Sequence, residues 1–139
     1  MEGKPHKRLQ AWQRAMDLVI AVYDATARFP SRERFGLIAQ IQRAAISVPS
    51  NIAEGAARGS KRFFVNALHI ARGSLNELDT QFIIASRLGY LTEQEAAGLA
   101  LRIAEVDRLL NGLIASVRLK AAGTLASIGM LLGALGWVL

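Results

Sequence analysis

The sequence contains no cysteine and few prolines, and these absences exclude several classes of protein. Without cysteine, the chain can form neither a disulfide framework nor a thiolate metal site. The chain has three prolines in 139 residues, and 52% of its residues are apolar. This composition argues against a disordered chain. No segment flanked by turn dipeptides alternates apolar and polar residues with period two, so we expect no β-sheet. The length is sufficient for one helical domain with a hydrophobic core.

The chain also lacks the motifs that carry common enzymatic chemistry. It has no phosphate-binding loop, no glycine-rich dinucleotide motif and no nucleophile elbow. No glutamate is followed three residues later by a histidine, the pair that often binds metals in helical bundles. His6 lies in a basic tail, and His69 is a lone helical histidine. We therefore expect no catalytic residue, no metal and no cofactor.

Four segments repeat apolar residues at spacings of three and four, which is typical of amphipathic helices. The first covers residues 9–29, and the second begins near Arg32. The third follows a candidate N-cap, Ser60, and the fourth opens with a capping box formed by Thr92 and Glu95. The predicted core stripes are Trp12, Met16, Val19, Tyr23 and Ala27; Ile38, Ile41, Ala45, Val48 and Ile52; Phe64, Leu68, Ala71, Leu75, Leu78, Phe82 and Ala85; and Leu99, Ile103, Val106, Leu110, Leu113 and Val117.

Long helices and short connections predict an all-α fold, an antiparallel up-down-up-down four-helix bundle. Gly89 fits a left-handed cap that ends the third helix. We divide the chain into a basic N-terminal tail (1–8), the bundle (9–118) and an apolar C-terminal segment (119–139), which we expect to form an additional helical tail.

Pro49 lies inside the second helical segment, where a proline removes a backbone donor. The apolar spacing keeps its phase through Pro49, so we expect the helix to continue, with a bend at residues 45–49. The bend would aim Asn51 and Glu54 inward, as part of a polar network that fixes helix register. For Glu54 and Glu77 we prefer a structural role to a catalytic one.

The net charge of +6 is concentrated in the first part of the chain, since residues 1–62 hold 11 lysines and arginines against 5 acidic residues. A basic surface attracts polyanions such as nucleic acid. Phe63 and Phe64 are assigned to the core, so we expect binding led by charge or shape without base stacking. The alternative is a solvated helix junction. The candidate phosphate contacts are Arg43, Arg58, Lys61 and Arg62, with Arg14 and the Lys7–Arg8 pair as secondary choices.

The C-terminal segment 121–139 contains no charged residue. As a helix it would span about 28 Å, close to the thickness of a bilayer core. It is either a membrane anchor or a tail helix packed on the bundle or within an oligomer. The N-terminus lacks the apolar run of a signal peptide. We expect a cytoplasmic protein, with association to the inner membrane through 121–139 as the alternative.

Two motifs connect this sequence to a known family. They are S-x-P-S-N-I-A-E-G at 47–55 and G-S-L-x-E-L-D-T-Q at 73–81. With them, residues 9–118 resemble the bacterial four-helix bundle proteins that include proteins encoded within intervening sequences of 23S ribosomal RNA genes. Members often carry a basic pair where this chain has Gln42-Arg43, and nothing in the family corresponds to 121–139.

The resemblance implies a single bundle without enzymatic activity that assembles into a homopentamer. Structurally similar accessory variability proteins of diversity-generating retroelements bind a reverse transcriptase and nucleic acid through a basic surface. We therefore expect a non-enzymatic, oligomeric protein that binds RNA or DNA or acts as a scaffold. A membrane-tethered bundle and a protein-binding adaptor, for example to a reverse transcriptase, are the alternatives.

Overall fold

Four helices and two short 3-10 segments make up the chain. The computed structural model describes the backbone of residues 3–136 and the side chains of residues 3–123. Helices that follow one another in the chain pack together, and the last packs on the first, which confirms the predicted four-helix bundle. The helices are α1 (Gln10–Thr26), α2 (Leu37–Ala57), α3 (Lys61–Arg87) and α4 (Glu93–Gly136), and the 3-10 segments are Pro5–Arg8 and Ser31–Glu33.

The core on α2, α3 and α4 follows the predicted stripes. Ile38, Phe64 and Leu113 are only partly buried and pack at its edge. Ile114 occupies the position on α4 that Leu113 was expected to fill. The periodic spacing therefore predicted three of the four buried faces. The buried apolar residues of these helices are Ile41, Ala44, Ala45, Val48, Ile52, Leu68, Ala71, Leu75, Leu78, Phe82, Ala85, Leu99, Ile103, Val106, Leu110, Ile114 and Val117.

The predicted stripe on α1 is wrong by one residue. Met16 is 39% exposed and Tyr23 41% exposed, and Trp12 and Val19 are only partly buried. The larger side chains suggested the predicted stripe, but the buried stripe is its neighbour. That stripe contains three alanines, whose small side chains fit the limited space between closely packed helices. The outer face of α1 therefore remains apolar and accessible. The residues of α1 that are buried are Ala11, Ala15, Leu18, Val22, Ala25 and Thr26.

Helix α2 continues through Pro49 without a break, as the unbroken apolar phase predicted. Pro49 is itself buried in the bundle. Two residues further on, the Asn51 amide donates to the backbone carbonyl of Ser47 (2.8 Å) and to its Oγ (2.9 Å). The Ser47 Oγ is in turn hydrogen bonded to the Ser74 Oγ (2.8 Å), which joins α2 to α3. The bend at residues 45–49 stays a prediction.

Near its end, α2 lies very close to α3. A Cβ atom added at Gly55 would lie 2.6 Å from the Cβ of Ala67 and 3.2 Å from a ring carbon of Phe64. Real carbon atoms do not approach to 2.6 Å without a shift of one helix. Gly55 is therefore the residue that allows α2 and α3 to approach at this level.

Neither of the two glutamates expected to have structural roles points into the core. Glu54 is exposed and its carboxylate accepts from Arg58 (2.7 Å), so its expected inward position is wrong. The helical rotation that buries Ile52 and Gly55 directs the intervening position outward. Glu77 is also exposed and accepts from the Gln81 amide (3.2 Å).

The connection between α3 and α4 is fixed by hydrogen bonds at both helix ends. Gly89 has φ +80°, and the N–H of Tyr90 donates to the carbonyl of Ala85 (3.0 Å), which together form the predicted left-handed cap. The capping box is also confirmed: the Glu95 N–H donates to Thr92 Oγ1 (3.1 Å), and the Thr92 N–H donates to the Glu95 carboxylate (3.2 Å).

Helix α4 does not end where the predicted bundle ends. It continues without interruption from Glu93 to Gly136, so residues 119–136 extend the fourth helix rather than form a separate element. At 1.5 Å per residue, α4 is about 66 Å long, whereas α3 is about 40 Å long. The C-terminal part of α4 must therefore project beyond the other helices.

Candidate nucleic-acid interface

The antiparallel topology collects positive charge at one end of the bundle. The start of α1, the α2–α3 connection and the part of α4 near residue 118 meet there. We call this the basic end and define it as residues 3–8, 54–69 and 117–120. These segments contain eight lysines and arginines, and Glu54 is their acidic residue. The cations are Lys4, Lys7, Arg8, Arg58, Lys61, Arg62, Arg118 and Lys120.

The N-terminal residues belong to this end as a folded element. Pro5–Arg8 forms a 3-10 helix that packs against α2. The Gln13 side chain donates to the Lys7 carbonyl (2.8 Å), and the His6 ring meets the Trp12 ring edge-on, with centroids 5.2 Å apart. The structure thus brings the secondary candidates Lys7 and Arg8 to the same end as the primary ones.

The α2–α3 connection supplies three of the predicted phosphate contacts. Arg58, Lys61 and Arg62 are all exposed, and Arg58 is paired with Glu54. Ser60 caps α3 as predicted, since its Oγ accepts from the Phe63 N–H (3.4 Å). A helix N-terminus presents free N–H groups and a positive dipole end, both of which favour an anion.

Phe63 is not in the core, contrary to the sequence-based assignment. Its side chain is 54% exposed, and the Arg58 guanidinium lies 5.7 Å from its ring centroid. Phe64, the next residue, is the one that packs against the core. Successive helical residues are rotated by about 100°, and here the rotation that packs Phe64 against the core turns Phe63 towards the surface. The basic end therefore presents an aromatic ring beside its cations, as in sites that stack unpaired bases.

Two further candidates lie away from the basic end. Arg14 interacts with Asp17 (3.1 Å) and with Glu105 of α4 (3.3 Å), so carboxylates already offset its charge. Arg43 is exposed but precedes Arg58 by fifteen residues, which is about 22 Å along α2. The geometry brings neither residue to the α2–α3 connection.

The part of the chain that the structure describes offers neither a metal site nor a membrane-spanning helix. It contains no group of three or more histidine or acidic side chains that could hold a metal ion. No helix within it is long and apolar enough to cross a membrane. The membrane alternative concerns residues 121–139, and the side chains of residues 124–139 lie outside the described part.

Comparison with known proteins agrees with the fold. The family model described as "23S rRNA-intervening sequence protein" matches residues 7–112. A solved structure of a protein of unknown function, from the S23 ribosomal protein family of Bacteroides thetaiotaomicron, is also similar. It is 22% identical, has a TM-score of 0.69 and aligns over 75% of this chain and 94% of that chain. At this identity the likeness concerns the fold alone. No curated protein matches the chain.

Proposed function

Because the chain belongs to the 23S rRNA-intervening sequence protein family, we propose that it is a non-enzymatic protein that binds single-stranded RNA through the basic end. The observation that carries the proposal is the gathering of eight cations and one exposed aromatic ring at one end of the bundle. The family's name makes RNA the natural probe. Arginine and lysine would contact phosphates, and Phe63 would stack on an unpaired base.

A salt titration tests the electrostatic part of this proposal. The binding of a labelled single-stranded RNA is measured by anisotropy between 50 and 200 mM salt. The comparison is between the unaltered protein and a variant with Arg58→Ala, Lys61→Ala and Arg62→Ala. Each lost phosphate contact lowers the slope of log K against log salt by about 0.7 for a single strand, so the slope should fall by about 2.

The matched control removes three exposed arginines elsewhere, Arg34→Ala, Arg87→Ala and Arg102→Ala. It changes the net charge equally but leaves the basic end intact. We expect its salt slope to remain close to that of the unaltered protein. Absence of binding at 50 mM salt, or an equal loss in both triple variants, would refute the proposal.

The proposed stacking by Phe63 can be tested with a matched pair of phenylalanine variants. Phe63 and Phe35 are both exposed, and each has an arginine near its ring, Arg58 at 5.7 Å and Arg34 at 5.4 Å. Phe63 lies at the basic end and Phe35 at the opposite end. Phe63→Leu should weaken RNA binding by about 5- to 150-fold, since stacking contributes about 1–3 kcal/mol per base. Phe35→Leu should leave the affinity unchanged.

We also propose that the protein self-associates through the outer face of α1. This face exposes Met16, Ile20 and Tyr23 by 39%, 64% and 41%, with Trp12 and Val19 at its edge. A contiguous apolar face on a folded domain is typical of an interaction surface. Ile20→Arg should reduce the mass measured by light scattering, whereas Leu101→Arg, at an isolated exposed leucine of α4, should not. A protein that is monomeric throughout contradicts this proposal.

A further inference from the structure

One contact at the basic end depends on a side chain that can gain a proton. The Nε2 atom of His69, on α3, lies 2.8 Å from Nη2 of Arg118, on α4. Both side chains are exposed. A guanidinium group can only donate hydrogen bonds, so His69 must accept at Nε2 and carry its proton on Nδ1. The contact therefore exists only while the imidazole is neutral.

The surroundings of His69 are rich in positive charge. His69 shares a groove with Arg62, Phe63, Val65 and Asn66. On α3, Arg62 lines the same groove and Arg72 lies one helical turn from His69, and on α4 Arg118 contacts the ring. The Asp107 carboxylate lies 3.9 Å from Arg72 and therefore offsets the positive charge of Arg72.

We propose that His69 is a proton-dependent phosphate contact within the basic end. This inference rests on the proposed RNA binding and names its regulation. Protonation breaks the contact with Arg118, so that His69 and Arg118 become two donors aimed at one phosphate group, beside Arg62. Histidine is the side chain whose charge ordinarily changes between pH 5 and 8. By linkage, a phosphate that favours the protonated form makes RNA affinity rise as the pH falls.

The test compares RNA affinity at pH 7.5 and pH 5.5 in the full-length protein, over a range of salt. For the unaltered protein we expect affinity to rise about tenfold at the lower pH. The salt slope should steepen by about 0.7, the value for one added phosphate on a single strand. His69→Gln should remove both effects. The chain has one other histidine, so His6→Gln is the matched control and should behave like the unaltered protein.

Arg118→Gln gives a second measurement. Neutral His69 holds Arg118 through the 2.8 Å contact, whereas a protonated His69 would release Arg118 to the phosphate. Its loss should therefore weaken binding more at pH 5.5 than at pH 7.5.

The outcomes separate this inference from the function on which it rests. RNA binding with the same pH dependence in the unaltered protein and in His69→Gln overturns the role of His69 and leaves the proposed function standing. A pH effect that disappears in His6→Gln instead also overturns it. Absence of RNA binding at both pH values overturns the proposed function, and this inference fails with it.

Discussion

The α2–α3 and α3–α4 connections share two features, but the helical turns that follow them carry opposite charges. Each contains a glycine in the left-handed region, Gly59 at φ +71° and Gly89 at φ +80°, followed by a capping hydroxyl. The first turn of α4 is acidic and is closed by a capping box. The first turn of α3 begins with Lys61-Arg62, contains no acidic residue and has Phe63 where a capping box has glutamate.

The difference shows where stability and binding compete. Carboxylates stabilise a helix N-terminus and cations destabilise it, so the start of α4 follows the local rules and the start of α3 breaks them. Natural sequences break such rules mainly at functional sites. The first turn of α3 therefore retains an arrangement that is unfavourable for folding but favourable for binding an anion.

The largest effect is expected where packing, rather than hydrogen bonding, holds the α2–α3 hairpin together. Gly55→Ala should lower the free energy of unfolding by about 1–3 kcal/mol, because the new Cβ would meet Ala67 at 2.6 Å. The matched control is Gly73→Ala in α3, where a Cβ would have open space. It should raise stability by up to about 1 kcal/mol through helix propensity alone. Urea unfolding measures both, and two changes of the same sign would contradict the close approach.

The second effect compares the two caps. Thr92→Ala should cost about 1 kcal/mol, because it removes an oxygen 3.1 Å from the Glu95 N–H and disrupts the reciprocal box. Ser60→Ala should cost less, a few tenths of a kcal/mol, because its oxygen is 3.4 Å from the Phe63 N–H and has no reciprocal partner. Thermal unfolding of the two variants under one buffer condition gives the ranking. Equal losses would show that both connections depend on their caps alike.

The sequence predicted these connections well because capping signals are local. Helix periodicity also predicted the number of helices and three of the four core faces, since it reports which residues share a face. It failed on α1, where two apolar stripes lie side by side. Trp12, Met16 and Tyr23 are larger than Ala11 and Ala15, but the smaller residues are the buried ones. The neighbouring helices determine which of the two stripes is buried. The periodicity of one segment carries no information about those neighbours.

The site was predicted in part. Arg58, Lys61 and Arg62 lie within five consecutive positions, so their cluster could be found without the fold. The approach of Arg118 to His69 joins residues 49 positions apart and depends on where α4 packs along α3. The exposure of Phe63 could have been found, since the stripe that buries Leu68 also selects Phe64 and turns its neighbour outward.

The third effect concerns charge at the two ends of α3. Arg62→Glu should raise the free energy of unfolding by about 0.5 kcal/mol at low salt, because it places an anion at the helix N-terminus. Arg87→Glu, in the last turn of the same helix, should lower it by a similar amount. Both changes should fade at high salt. Arg62→Glu should also weaken RNA binding, so stability and affinity would move in opposite directions, as a site retained for binding requires.

The smallest effect is a pH dependence at the acidic connection. Hydrogen bonds from the Thr92 backbone and side chain, with a further contribution from Arg28, lower the pKa of Glu95. A carboxylate with a lowered pKa in the folded state contributes stability above its unfolded pKa, and this is lost as the pH falls through the folded pKa. Glu95→Gln keeps a capping side chain but loses the charge. It should therefore be less stable than the unaltered protein at pH 7, and the difference should shrink as the pH falls below about 4.3, the ordinary pKa of glutamate.

Glu93→Gln provides the control for this last comparison, because Glu93 lies in the same first turn but takes no part in the capping box. Its substitution removes the interaction with the helix dipole alone, so the loss at pH 7 should be smaller than for Glu95→Gln. Urea unfolding from pH 7 to pH 3 distinguishes the two. If both variants follow the same pH curve, the charge of Glu95 acts only through the dipole. The hydrogen bonds from Thr92 would then fix the geometry of the α3–α4 connection without favouring the ionised carboxylate of Glu95.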